Sequence, residues 1–167
     1  AFNSRENKLT PWYNDLMRDN NGEMLLVKGL GRYYDIVAGS TTVFYPGKAE
    51  YLSQLGKLTF RTEVTVLQKG LAKRITVRIE NTGELEKQCA LSYYTEPVLS
   101  YDRSTSNCGA KLEYRRGERA VFVRNRCNDG FCGEMAVGCG SECVMTTDRE
   151  RFLAGEVSGE VRPFANS

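Results

Sequence analysis

Asn3, Arg5, Glu6, Asn14 and Asp15 surround Trp12, the only tryptophan among 167 residues, and these are the side-chain types that grip sugars. Planar guanidinium, amide and carboxylate groups offer paired donors and acceptors that suit vicinal hydroxyls. An exposed indole can stack on the apolar face of a pyranose while its N–H donates a hydrogen bond. The same residues could instead form a cap-and-turn network around a packing tryptophan, and both readings stay open. A second polar group follows Glu96, where Asp102 and Arg103 lie in the run Ser100 to Asn107. A loop this long on a rigid scaffold is where recognition concentrates, although a solvated ion pair would look alike. Cleavage of a glycosidic bond would require two carboxylates about 5–10 Å apart, a separation that sequence cannot fix. The chain contains no histidine, so the commonest general base and nitrogen metal ligand are both missing. No catalytic residue, metal ligand or cofactor is assigned. Gly29, Leu30 and Gly31 lack the following helix and Lys-Ser/Thr of a phosphate cradle. Tyr33 with Tyr34, and Tyr93 with Tyr94, are adjacent pairs in strand context. One ring of each is expected inward, leaving the other as a stacking surface.

The chain that must position these groups is of ordinary globular composition, with 41% apolar and 26% charged residues, and 167 residues suffice for one domain with a real core. Twenty-three basic against twenty-one acidic residues leave a net charge of +2. Arg124 with Arg126, and Arg115 with Arg116, do not make the stripe that phosphate-backbone binding needs, so nucleic acid is not an expected partner. No apolar run reaches the ~20 residues that span a bilayer, and no signal-peptide pattern opens the chain. A cytoplasmic location is the expectation. The start at Ala1 suggests a piece excised from something longer, and initiator removal explains it equally well.

Alternation of period two is cleanest from Leu58 to Val66, with Leu58, Phe60, Val64 and Val66 on one face and Arg61, Glu63 and Thr65 on the other. Ile75, Val77 and Ile79 repeat it, and Lys69-Gly70 between them reads as a hairpin turn. Cys89, Leu91 and Tyr93 are expected to begin the inward face of a third strand. Further strands are predicted over Glu23–Lys28, Lys111–Tyr114, Ala120–Arg124, Glu134–Val137 and Glu142–Thr146. A turn is expected over Asp19–Gly22 and a short C-terminal helix over Arg149–Ala154. Antiparallel hairpins with one apolar face predict an all-β fold, an antiparallel β-sandwich.

Six cysteines are present: Cys89, Cys108, Cys127, Cys132, Cys139 and Cys143. The x4 and x3 spacings within the last two pairs sit at the edge of a four-thiolate zinc pattern, and the even count permits disulfides. Reduced, mostly buried thiols are the expectation, because cysteine packs as a small hydrophobe and no secretory signal is seen.

The opening run from Asn3 to Asp15, together with Tyr93, Tyr94, Thr95, Glu96, Pro97, Val98 and Leu99, resembles the N-terminal β-domain of glycoside hydrolase family 94. That family, formerly glycosyltransferase family 36, holds the cellobiose and chitobiose phosphorylases and the cyclic β-1,2-glucan synthases. The resemblance runs from Asn3 to Leu153 and includes Gly22-Glu23, the long hairpin and the turn Ile79 to Gly83. It implies a galactose-mutarotase-like supersandwich, in whole or in part, that packs on an (α/α)6 barrel. In the family the barrel supplies the catalytic acid and the phosphate site of an inverting phosphorylase or glycosyltransferase, and no such run of amphipathic helices occurs here. The opening motif lies near the family's catalytic cleft, which implies substrate-binding roles for Arg5 and Glu6, with Trp12, Asp102 and Arg103 beside them. Residues 1–167 are accordingly expected to form a single ancillary domain that binds a β-linked oligosaccharide or glucan without breaking bonds. The alternative is a structural or dimerisation module with no sugar affinity of its own. A self-sufficient hydrolase or epimerase is the third reading, at odds with the missing histidine.

Overall fold

The computed structural model describes residues 4, 6–11, 22–29, 32–106, 109–128, 130 and 133–153. Asn3, Arg5, Trp12, Asn14, Asp15, the expected turn up to residue 21, Cys108 and Cys132 lie outside them. The chain divides into two compact units, the first comprising residues 1–4 and 10–96 and the second residues 5–9 and 97–167.

The first unit is an antiparallel sandwich. One sheet has the order β2-β1-β7, with β1 at Glu23–Gly29, β2 at Arg32–Asp35 and β7 at Ala90–Thr95. The other is a meander of β3 (Thr41–Tyr45), β4 (Lys48–Leu55), β5 (Leu58–Leu67) and β6 (Ala72–Asn81). Two-residue turns set its register: Pro46-Gly47 joins Tyr45 to Lys48, and Gly56-Lys57 joins Leu55 to Leu58. Gly47 and Gly56 have φ of 72° and 61°, which a glycine adopts without the clash that a Cβ would bring. Cross-strand partners share a face, so Phe60 opposite Ser53 and Ile79, and Leu58 opposite Leu55, fix which side of the meander is apolar. That side meets Leu25 and Val27 of the first sheet and Ile36 just beyond β2, and these three buried residues, with Leu58 and Phe60, are the core. Thr62 joins Leu58 and Phe60 inside, while Val66, on the same face, ends half exposed beyond the cover of the facing sheet.

The second unit carries a sheet of order β10-β9-β8, formed by β8 (Ala110–Arg115), β9 (Ala120–Asn125) and β10 (Glu134–Gly138). A single 3-10 turn over Arg116–Glu118 links the first two, with Arg119 in the left-handed region at φ 49°. Arg115 and Arg124 are both spent on Glu134, at 3.1 and 2.6 Å, and Arg115 also lies 3.8 Å over the Phe122 ring. Two helices are short: α1 (Arg103–Ser106) and α2 (Arg149–Leu153). Asp148 starts α2 by accepting the Arg151 amide at 3.0 Å, the N-cap contact that its position implied.

Three expectations are corrected. Residues 142–146 form no strand; the chain bends at Gly140 and Ser141 and does not return to pair with β10, which has one strand neighbour among the described residues. Cys89, Cys127, Cys139 and Cys143 are free and exposed, because they fall before or after strands and not on inward faces. Leu91, expected on the inward face with Tyr93, is exposed at the far end of β7, while Tyr94 is buried and Tyr93 packs half-buried against the core.

Candidate functional site

In the second unit, the motif residues Glu6 to Leu9 run antiparallel to the stretch after Pro97. Lys8 N donates to Ser100 O at 2.9 Å, Leu99 N to Lys8 O at 2.8 Å and Val98 N to Leu9 O at 3.0 Å. Lys8 and Ser100 form an antiparallel bridge. Glu6 stands two residues before that bridge and Asp102 two residues after it, each at a bend in the chain. Glu6 is exposed, and Asp102 and Arg103 are half buried.

What holds this bend is buried. Val98 and Leu99 are essentially inaccessible, and Leu99 adopts a left-handed φ of 49°. A branched residue there costs about 1–2 kcal/mol, so surrounding contacts must over-determine it. Asn128 Nδ2 donates to Leu99 O at 2.9 Å, and Asn125 Nδ2 donates to Val98 O at 3.3 Å. Beyond the bend, Asp102 accepts the Ser104 hydroxyl at 2.7 Å across the start of α1, which steadies the carboxylate beside Arg103. The Lys8 ammonium lies 5.0 Å from the centre of the exposed Tyr101 ring. Lys8 and Tyr101 were not singled out by sequence; the signal available was their place inside the polar runs already flagged. Glu96 falls in the first unit, where it accepts the Tyr94 hydroxyl and its amide donates to Gly22 O at 2.9 Å.

The first unit has a cleft of about 250 Å³ between its two sheets, lined by Glu23, Asp35, Tyr51, Lys73 and Tyr93 above an apolar floor of Leu25, Val37, Val64 and Ile75. Glu23 Oε1 accepts the Tyr93 hydroxyl at 2.5 Å and pairs with the Lys73 ammonium. Burial first, and then the bond to Glu23, push the Tyr93 phenol well above its ordinary 10.0. The folded chain therefore keeps this proton more tightly than the unfolded chain, whose phenol stays near ~10. Stability from this group is fully present below about pH 10 and is lost as the pH rises through the folded-state value. Tyr93→Phe is expected to flatten the alkaline decline in unfolding free energy and to remove one late-titrating phenolate from the absorbance titration. An unchanged alkaline slope would contradict the assignment.

Compared with known proteins, the chain matches the family model described as glycosyl hydrolase 94, supersandwich domain, over residues 1–165. It is similar to the cyclic beta-(1,2)-glucan synthase NdvB of Rhizobium meliloti (strain 1021), with 25% identity over 175 residues. The aligned region covers 98% of this chain and 6% of the synthase, so the chain spans a small fraction of that relative's length.

Proposed function

The chain belongs to glycosyl hydrolase family 94 as a supersandwich domain, and from that premise we propose that it binds and orients a β-linked oligosaccharide or glucan for chemistry performed elsewhere in a larger enzyme. The enzyme class is a glycoside phosphorylase or glucan glycosyltransferase with a catalytic helical barrel as the domain's partner, and the location is cytoplasmic. No helix among the described residues is long and apolar enough to cross a membrane. Residues 1–167 act as a single carbohydrate-associated domain. Arg5, Glu6, Trp12, Asp102 and Arg103 are the substrate-binding residues, holding hydroxyls so that a sugar is presented in a reactive pose. The observation that supports this is the Lys8–Ser100 bridge, which sets Glu6 and Asp102 on adjoining segments above a rigid, buried bend.

Titration with sophorose, the β-1,2-linked glucose disaccharide, followed by backbone amide shifts, tests the reading. Shifts are expected at Glu6–Leu9 and Tyr101–Ser104. Asp102→Asn combined with Arg103→Met is expected to weaken binding about tenfold, the loss of ~1.4 kcal/mol. Saturating sugar with no shift in either segment would refute it.

One observation favours a second reading, that of a dimerisation module. β3 is a sheet edge, and Val43, Phe44 and Tyr45 on it are 44%, 75% and 48% exposed. An apolar edge of this kind pairs readily with another strand. A concentration-dependent dimer that Phe44→Lys dissociates, with no sugar response, would establish that reading in place of the first.

A further inference from the structure

We propose that the cleft of the first unit is a separate sugar site that takes one pyranose ring of a neutral oligosaccharide. The inference rests on the carbohydrate reading above but uses none of its residues. Size sets the first limit. A cleft of about 250 Å³ falls just below the ~300–1,000 Å³ of pockets for drug-sized ligands, which suits a single six-membered ring.

The lining sets the second limit. Val37, Val64 and Ile75 line its apolar side, a surface that a sugar's C–H groups can pack against. Tyr51 stands at its edge, steadied edge-to-face by Phe44 with ring centres 6.5 Å apart and planes at 84°. Phe44 itself is on the inward-facing side of β3 yet largely exposed, so through Tyr51 the cleft adjoins further exposed apolar surface.

Polarity sets the third limit. Glu23 uses Oε1 for both Tyr93 and Lys73, which leaves Oε2 without a partner among the described residues. Lys73 carries further N–H donors. Both side chains are about one third exposed, at 35% and 29%. A carboxylate acceptor and an ammonium donor fixed side by side match two neighbouring hydroxyls. The charges decide against an anion: Glu23 and Asp35 outnumber Lys73, and Asp35 Oδ1 is already occupied by the amides of Val37 and Ala38 at 2.9 and 3.2 Å. A phosphate or carboxylate would meet net negative charge, whereas a neutral polyol would not.

The same sophorose titration on the full chain tests the site. Amides of Glu23, Met24, Lys73, Arg74, Ile75 and Tyr93 are expected to shift. Lys73→Met is expected to weaken that response about tenfold. Because Lys73→Met also removes an ion pair, a second variant is needed that leaves the polar wall intact. Ala38 is an exposed turn residue at the cleft's rim, and Ala38→Trp is expected to block the cleft response while leaving the thermal midpoint unchanged. Cleft shifts that Ala38→Trp abolishes establish the site, whether or not the Glu6 and Asp102 segments respond. Shifts confined to those segments, cleft shifts that survive Ala38→Trp, or no shifts at all would overturn it. The first of these three leaves the loop reading standing, so failure of one site is distinguishable from failure of the other.

Discussion

Phe60→Ala is expected to cost the first unit about 3–5 kcal/mol, the range for deleting a fully buried phenylalanine. The ring is completely inaccessible and packs with Leu25, Val27, Ile36 and Leu58, so its removal leaves a void that neighbours on two sheets cannot both close. Against a typical total of ~5–15 kcal/mol, that is a large share of the stability. Urea unfolding should show a lower midpoint with an unchanged slope. Phe44 offers the control, because it is the same residue type on the same face of the same sheet but is three-quarters exposed. Phe44→Ala is expected to cost under about 1 kcal/mol, chiefly its edge contact with Tyr51. Equal losses at the two positions would mean that the core is misplaced.

Gly109→Ala is expected to destabilise the second unit by about 1–3 kcal/mol, the cost of overpacking a close-packed site. A methyl group there would lie 2.6 Å from Cys127 Sγ, 2.7 Å from Asn125 Oδ1 and 2.8 Å from the Cys127 amide nitrogen. The sulfur could turn aside, but the amide cannot. Asn125 is no freer: its Oδ1 accepts that same amide at 3.0 Å, and its Nδ2 donates to Val98 O in the bend before Asp102. Gly109 O in turn accepts Arg126 N at 3.1 Å. The strain is therefore expected to spread to the bend and weaken any sugar response at Tyr101–Ser104. Gly117→Ala, with nothing within 4 Å of the added carbon, should be close to neutral. Adding Cys127→Ala to Gly109→Ala should recover only part of the loss, since the clash with the backbone amide remains. Full recovery would show that the sulfur alone was responsible.

Strands with strict alternation were the legible part of the fold. β5 and β6 follow from Leu58, Phe60, Ile75 and Val77, and the turn at Gly70 has the positive φ of 94° that a glycine supplies readily. β3 and β4 were not, because Val43, Phe44 and Tyr45 run together without alternating and the inward side of β4 carries Ala49 and Ser53. Pro46-Gly47 and Gly56-Lys57 were the usable signal, two short turns that bracket a strand. The cysteines misled because burial depends on where a residue falls along a strand, and Cys89, Cys127, Cys139 and Cys143 all fall off the ends. The family was legible from the opening motif, although Arg5 and Trp12 lie outside the described residues. The pairing of the Glu6–Leu9 segment with the stretch after Pro97 required the Lys8–Ser100 bridge, and the cleft was not legible at all. Glu23 meets Lys73 fifty positions away and Tyr93 seventy away, and no local pattern links residues that only a completed sandwich brings together.

β1 has its second neighbour in β7, from Glu23 opposite Thr95 to Lys28 opposite Ala90, while the whole meander of β3 to β6 lies between them in the chain. Each meander strand can zip onto the one just made, whereas β1 precedes the meander in the chain and must wait for residue 95 before its other edge is covered. Closing so long a loop is tolerable because its entropic cost grows only logarithmically with length, and the intervening hairpins shorten the distance still further. The strand that carries Glu23 is thus made before the meander and enclosed after it.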